Sequence, residues 1–420
     1  MRKTSLALAV AASTLGLSLS QVAHADLIGD SKATIEARNF YFNRDFREDA
    51  GQNKQEEWAQ GFILRMDSGY TEGTVGFGAD AIGMFGFKLD SGDGTAGSGL
   101  LVPDRSGGSQ DNYSGLAVAA KAKVSKSTLR VGQMQFKNQA IASSDGRLLP
   151  QIFRGGNLVS QEIDGLTLDA GYLDEVNNRN SQDYEDMTLN TYTHSGISFK
   201  GGSSANNANE FVFAGGSYKL TKDLTAGYYY SNLEDLYKQH SFNLVHVLPL
   251  GDKQSLKTDV RYARSTDDGL SNVDNKAFGA MVTYSLSAHK FGLGYQKMSG
   301  DTGFAYVGGT DPFLVNYVQI GNFAAKDEKS YQARYDFDFA SVGVPGLTFM
   351  TRFLTGDNID RGRNVSEGKE RERNTELMYV FQEGALKNLG VRWRNATVRN
   401  NFSRDIDENR LIVSYTLPLL

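Results

Sequence analysis

The sequence predicts an all-β chain, a transmembrane antiparallel β-barrel of about 18 strands with long extracellular loops and short periplasmic turns. Three observations carry that reading. Apolar and polar residues alternate at period two in segments of roughly ten residues, as in a strand whose two faces meet different environments. The connections between these segments are by turns short and long. A secretory leader stands at the N-terminus.

In the leader, Arg2 and Lys3 precede an apolar run from Ser5 to Ser20, and Ala23-His24-Ala25 supplies a small-residue cleavage site. The run is too short for a membrane anchor. Residues 1–25 are expected to be removed as a signal peptide, leaving 26–420 as a single barrel domain. Without Arg2 and Lys3 the 44 basic residues become 42 against 49 acidic ones, a formal charge of −7, which argues against a nucleic-acid partner. No later stretch approaches about 18 consecutive apolar residues, so helical spans are excluded. The mean hydropathy of −0.40 does not exclude a barrel, because alternation dilutes the apolar signal. The chain has no Cys, which removes disulfides and thiol chemistry, and its 46 Gly, 20 Tyr and 24 Phe against 6 Pro favour strands and turns.

Along the chain, Val75, Phe77, Ala79, Ala81, Phe85, Phe87 and Leu89 share one face, opposite Gly78, Asp80 and Lys88. Leu116, Val118, Ala120, Ala122 and Val124 oppose Lys121 and Lys123; Phe278 to Leu286 and Tyr331 to Phe337 repeat the pattern. Such polar faces are costly in a dry core. Short connections such as Asp164-Gly165, a strong hairpin signal, interleave with longer ones at 44–56, 90–113, 137–156, 175–209, 234–238, 264–275, 298–329, 356–373 and 400–407. Eight short turns and nine loops give 18 strands, an even number that places both termini on one side. Tyr70, Tyr172, Tyr218, Tyr228, Tyr230, Tyr262, Tyr379 and Tyr415 lie at the ends of apolar stretches, where interfacial aromatics belong.

The same parity places arginines in the lumen. Arg38 opposes Ala33, Ile35 and Ala37 on the first strand, while Arg392, Arg394 and Arg410 oppose the apolar faces of the last two. Closure pairs the last strand with the first, so these four converge on one patch of wall. Arg130 and Arg352 either extend the stripe or lie elsewhere around the lumen. A guanidinium stays charged and binds a carboxylate through two parallel hydrogen bonds, so a file of them draws an anion inward, and several weak sites allow release. Carboxylates with inward parity, Asp80, Asp169, Asp259, Asp336 and Glu376, offer a competing use for the arginines. Asp336 is expected to pair with Arg334, and Arg261 is open between Asp259 and the path. Inward acids are scarce around Arg38, Arg392, Arg394 and Arg410, so transport is the expected role there.

Six stretches carry a resemblance to the OprD family of substrate-specific outer-membrane porins of pseudomonads: KATIEARNFYFNRD (32–45), KQEEWAQGFILRMDSGYTEGTVG (54–76), SDGRLLPQIFRG (144–155), LPLGDKQSLKTDVRYARSTDDG (248–269), DPFLVNYVQ (311–319) and the tail 410–420. They extend over essentially the whole chain after the leader. One departure is Leu420, where outer-membrane barrels commonly end in Phe. The resemblance implies an 18-stranded Gram-negative outer-membrane barrel, monomeric or a loose homotrimer, in contact with lipid and lipopolysaccharide. It further implies a basic ladder for facilitated diffusion of small carboxylate-bearing nutrients, either amino acids or aromatic and aliphatic acids. The 137–156 loop, with Arg147, Phe153 and Arg154, matches the family's inward-folded constriction loop. The 298–329 loop, with Tyr306 and Asp311, resembles its second pore-lining loop.

The alternative within the same fold is a general, nonspecific diffusion porin with a wider eyelet. An enzyme is not expected. The four histidines after the leader, His194, His240, His246 and His289, sit in no nucleophile motif or metal-ligand spacing, so no catalytic residue, metal or cofactor is assigned.

Overall fold

The computed structural model describes residues 27–47 and 51–420, and the expected leader lies outside the described residues. Eighteen antiparallel strands close into one barrel. In chain order they are β1 (Lys32–Phe46), β2 (Lys54–Asp67), β3 (Gly76–Ser91), β4 (Asn112–Val124), β5 (Ser127–Met134), β6 (Ile152–Ser160), β7 (Leu166–Asn177), β8 (Phe211–Lys219) and β9 (Leu224–Leu233). There follow β10 (Tyr237–Gly251), β11 (Gln254–Asp267), β12 (Asp274–Leu286), β13 (His289–Ser299), β14 (Lys329–Asp338), β15 (Leu347–Ile359), β16 (Gly368–Val380), β17 (Gly390–Asn400) and β18 (Ile406–Pro418). Each strand pairs with its successor, and β18 pairs with β1 from Pro418 opposite Thr34 to Ile406 opposite Phe46. Closure leaves no edge to be satisfied in lipid.

The alternation dictates which side chains meet acyl chains. Leu293 is 70% exposed and Leu116 59%, whereas Arg410, adjacent to outward Leu411, is 2% exposed. A soluble core would reverse that order. Tyr172, Tyr218 and Tyr228 stay exposed on the outside, as an aromatic girdle requires.

The eight turns and nine loops stand where the alternation places them, but several strands rise further than expected. β1 continues to Phe46 and β6 starts at Ile152, so Arg44, Phe153 and Arg154 lie on strands rather than in loops. Apolar side chains brought in by loops fill part of the lumen. Leu100 and Leu101 of the 92–111 loop and Leu148 and Leu149 of the 135–151 loop pack with inward Phe40 and Phe42 of β1. A second cluster joins Phe136 and Phe153 to Phe211 and Phe213. Bare backbone on the wall makes room. A β-carbon on Gly279 of β12 would meet Val315 Cγ2 at 2.7 Å, where the 300–328 loop settles. That loop is fixed by Glu372, which accepts hydrogen bonds from the backbone N–H of Ile320 (3.1 Å) and Gly321 (2.6 Å).

Candidate functional site

The register at the closure assembles the arginine column. Arg394 stands opposite Arg410 across β17 and β18, Arg392 opposite Ile412, and Arg38 opposite Ser414 across β18 and β1. Successive inward residues rise about 7 Å along a strand, so these guanidinium groups occupy successive levels of one wall. Arg44 joins above and Arg65 below, its register partner being Thr34. Neither was singled out from sequence, although both have inward parity: Arg44 shares Arg38's face, and Arg65 alternates with Leu64 and Met66.

The expectation that inward acids are scarce here is overturned. Arg38 Nε donates to Glu36 at 2.9 Å and its Nη1 to Asp145 of the 135–151 loop at 2.8 Å. Arg410 donates to Glu408 at 2.6 Å. Glu408, with its side chain wholly buried, also accepts from Arg44 Nη2 (2.6 Å) and Gln319 (2.9 Å). The reason is local: a carboxylate two residues away on a strand shares the arginine's face. Arg334 with Asp336 (2.7 Å) and Arg261 with Asp259 (2.8 Å) obey the same rule, so both are paired. Arg394 has Glu376 at 3.0 Å, out of line for a hydrogen bond, whereas Arg392 keeps 3.8 Å from that acid with a side chain 40% exposed. Arg392 is the guanidinium of this column most open to a solute.

A cavity of about 290 Å³ gathers Arg38, Arg147, Arg392 and Arg394 with Asp145 and Ser414. Arg147 enters from the 135–151 loop, 8% exposed, with Nε on the Ser98 carbonyl at 2.9 Å. Burial, then the neighbouring Arg410 and Arg179, push the Arg147 guanidinium well below its ordinary value. The guanidinium carbons of Arg44, Arg147 and Arg410 lie 5.3, 5.1 and 5.5 Å from the centre of the Phe42 ring. An aromatic face within about 6 Å softens the crowding of cations.

The remaining expected residues are dispersed. Arg352 lies two strands from Arg394, on β15, and donates to Asn374 at 2.7 Å. Arg130 belongs to another stretch of wall, where it pairs with Asp80 at 3.0 Å and Asp80 also holds Lys121 at 2.6 Å. Arg154, 44% exposed in its side chain, is bound to Asp174 (2.9 Å) and Glu175 (2.6 Å) at the end of β6, away from the cavity. Phe153 is core. Tyr306 and Asp311 do lie in the 300–328 loop, and Asp311 accepts from Tyr317 Oη at 3.0 Å. Burial pushes the Asp311 carboxyl above the usual range.

An 18-stranded barrel whose lumen is narrowed by packed loops, with a cationic cavity beside them, is a porin of the outer-membrane type. The chain belongs to the OprD family: the family described as outer membrane porin, OprD family, matches residues 25–419. The chain is 37% identical over 454 residues to Porin D of Pseudomonas aeruginosa, with 100% of this chain and 99% of that protein covered. It is similar to the crystal structure of Pseudomonas aeruginosa OpdQ, with a TM-score of 0.87 and 59% identity over 94% of this chain and 100% of that one. Similarity to Pseudomonas aeruginosa OpdK, crystallised with vanillate, reaches a TM-score of 0.85 at 39% identity over 93% of this chain and 100% of that one. The matched family is one of porins rather than enzymes.

Proposed function

We propose that this porin is selective for small carboxylate-bearing solutes, which move down the arginine column of β17, β18 and β1. The observation that carries the reading is the cavity shared by Arg38, Arg147, Arg392 and Arg394, in which Arg392 is only loosely engaged by protein acids. A passing carboxylate exchanges between such guanidinium groups, and the internal acids keep each hold weak enough for release. The relative OpdK was crystallised with vanillate, itself a carboxylate, which supports this solute class. Leu148 and Leu149, buried in the lumen, favour a narrow eyelet over a general diffusion pore. The protein works after export, with residues 1–25 removed, as a monomer or loose trimer among outer-membrane lipid and lipopolysaccharide.

The test is single-channel recording of the purified protein. A small conductance blocked by benzoate but not by neutral benzamide is the expected result. A large conductance indifferent to both identifies a general pore.

A further inference from the structure

A buried guanidinium, that of Arg147, and a half-buried one, that of Arg179, approach one point of the backbone with no ion pair to either. Among the described residues neither Arg147 nor Arg179 has a carboxylate oxygen within 4.0 Å. Arg147 spends Nε on the Ser98 carbonyl (2.9 Å) and Nη1 on the Gly146 carbonyl (3.0 Å), leaving Nη2 without a protein acceptor. Arg179, reaching in from the 178–210 loop, donates from its side chain only to Ser144 Oγ, at 2.8 Å. Both border one point beside the bare backbone of Gly99. A β-carbon there would lie 3.7 Å from Arg147 Nε, 3.9 Å from Arg179 Nε and 4.0 Å from Arg179 Nη2.

The surrounding acids form their contacts elsewhere. Asp145 serves Arg38 (2.8 Å) and Arg65 (3.6 Å), Glu408 serves Arg44 and Arg410, and Asp311 is held by Tyr317, so Glu408 acts on Arg147 and Asp311 on Arg179 only from beyond contact distance. Two like charges brought together under burial are unfavourable until an anion joins them. Arg147 also lines the cavity of Arg392 and Arg394, so the two cationic points have this one guanidinium in common.

We propose that Arg147 and Arg179 form a second anion-binding site beside the cavity, and that the preferred solute is a small dicarboxylate. One carboxylate engages Arg392 and Arg394, and the other bridges Arg147 and Arg179. A monocarboxylate leaves the second pair uncompensated. The inference rests on the carboxylate reading of the cavity and adds to it the number of anionic groups and the role of Arg179 as a specificity-determining residue.

The experiment compares block of the single-channel current by succinate and by butyrate, four-carbon acids with two and one carboxylates, at pH 7.5. Succinate is expected to block at roughly tenfold lower concentration, the effect of one added set of charge-assisted hydrogen bonds. In Arg179→Gln, succinate block weakens to the butyrate level while butyrate block is unchanged, and that unchanged block reports an intact pore. Equal block by the two acids in the natural protein, or equal weakening of both in Arg179→Gln, overturns the second site and leaves the carboxylate reading standing. Block by neither acid overturns both.

Discussion

Leu148 of the 135–151 loop rests against Gly86 of β3, its Cδ2 only 2.9 Å from where a β-carbon would begin. Gly61, directly opposite on β2, receives Leu148 Cγ at 3.0 Å from the same point on its own backbone. A pair of side-chain-free positions on the inner wall is thus the seat of the loop that carries Arg147. In Gly86→Ala the new methyl group also meets the Tyr113 ring at 2.7 Å, and Tyr113 is tied by its hydroxyl to the Leu100 carbonyl at 2.8 Å. Overpacking of this kind costs about 1–3 kcal/mol. The loop is expected to lift, so single-channel conductance rises and carboxylate block weakens. Conductance equal to that of the natural protein would show that the loop is held elsewhere.

Arg392 and Arg394 share one acid, Glu376, at 3.8 and 3.0 Å. Replacing both with alanine removes the most available cations of the cavity and leaves the ladder hydrogen bonds of β17 intact. Hydrogen bonds to charged groups contribute about 1.5–3 kcal/mol each, so block by a carboxylate should weaken by about tenfold or more. Heat-modifiable migration should be retained. Glu376→Gln acts in the opposite direction, freeing both guanidinium groups and lengthening each blocking event. Unaltered blocking in the double variant removes these two residues from the path.

The eighteen strands were readable because period-two alternation survives wherever a strand faces lipid on one side and water on the other. The convergence of Arg38, Arg392, Arg394 and Arg410 followed from parity and closure alone. At the strand tops the signal fails: Phe40, Phe42 and Arg44 keep one parity to Phe46, but no apolar run marks the other face there, so periodicity alone puts Arg44 in the 44–56 loop. The same holds for Phe153 and Arg154 at the start of β6. The pairing of Arg38 with Glu36 and of Arg410 with Glu408 is written in the sequence as a spacing of two, which puts acid and base on one face of the strand. Arg179 had no signal. It lies in a loop without periodicity, and its place is set by tertiary contacts with Ser144 and Gly99.

Glu408 joins Arg44, Arg410 and Gln319, and so ties β1, β18 and the 300–328 loop together. Glu408→Gln keeps the shape but removes the charge that compensates two enclosed cations. Breaking a buried ion pair from one side costs about 3–5 kcal/mol. The temperature at which the barrel loses its compact migration is expected to fall, with the 300–328 loop becoming sensitive to protease first. A transition at the natural temperature would show that water, rather than Glu408, compensates Arg44 and Arg410.

Four extracellular loops meet at His194. Its ring stands edge-on to Phe402, with centroids 5.0 Å apart and an interplanar angle of 86°, and its Nε2 is buried without a hydrogen-bond partner. Its carbonyl accepts from the Lys326 backbone N–H at 3.0 Å, Lys326 pairs with Asp360 at 2.8 Å, and Arg361 donates to the Asn401 carbonyl at 3.3 Å. Burial, then the Arg361 charge, holds the imidazole below its ordinary value of 6.5, with Asp360 opposing. Lys326 keeps Asp360 below the usual carboxylate range, so His194 is the group in this clasp that changes charge in mild acid. A value depressed in the closed clasp means that the open state binds the proton first. Closure is therefore fully favoured above pH 6.5 and is lost as pH falls below it, by up to about tenfold per pH unit. Limited proteolysis of the 178–210 loop should accelerate between pH 7 and pH 5, and His194→Phe, which keeps the ring contact without the titrating nitrogen, should abolish the acceleration. Acid sensitivity that persists in His194→Phe assigns the opening to another group.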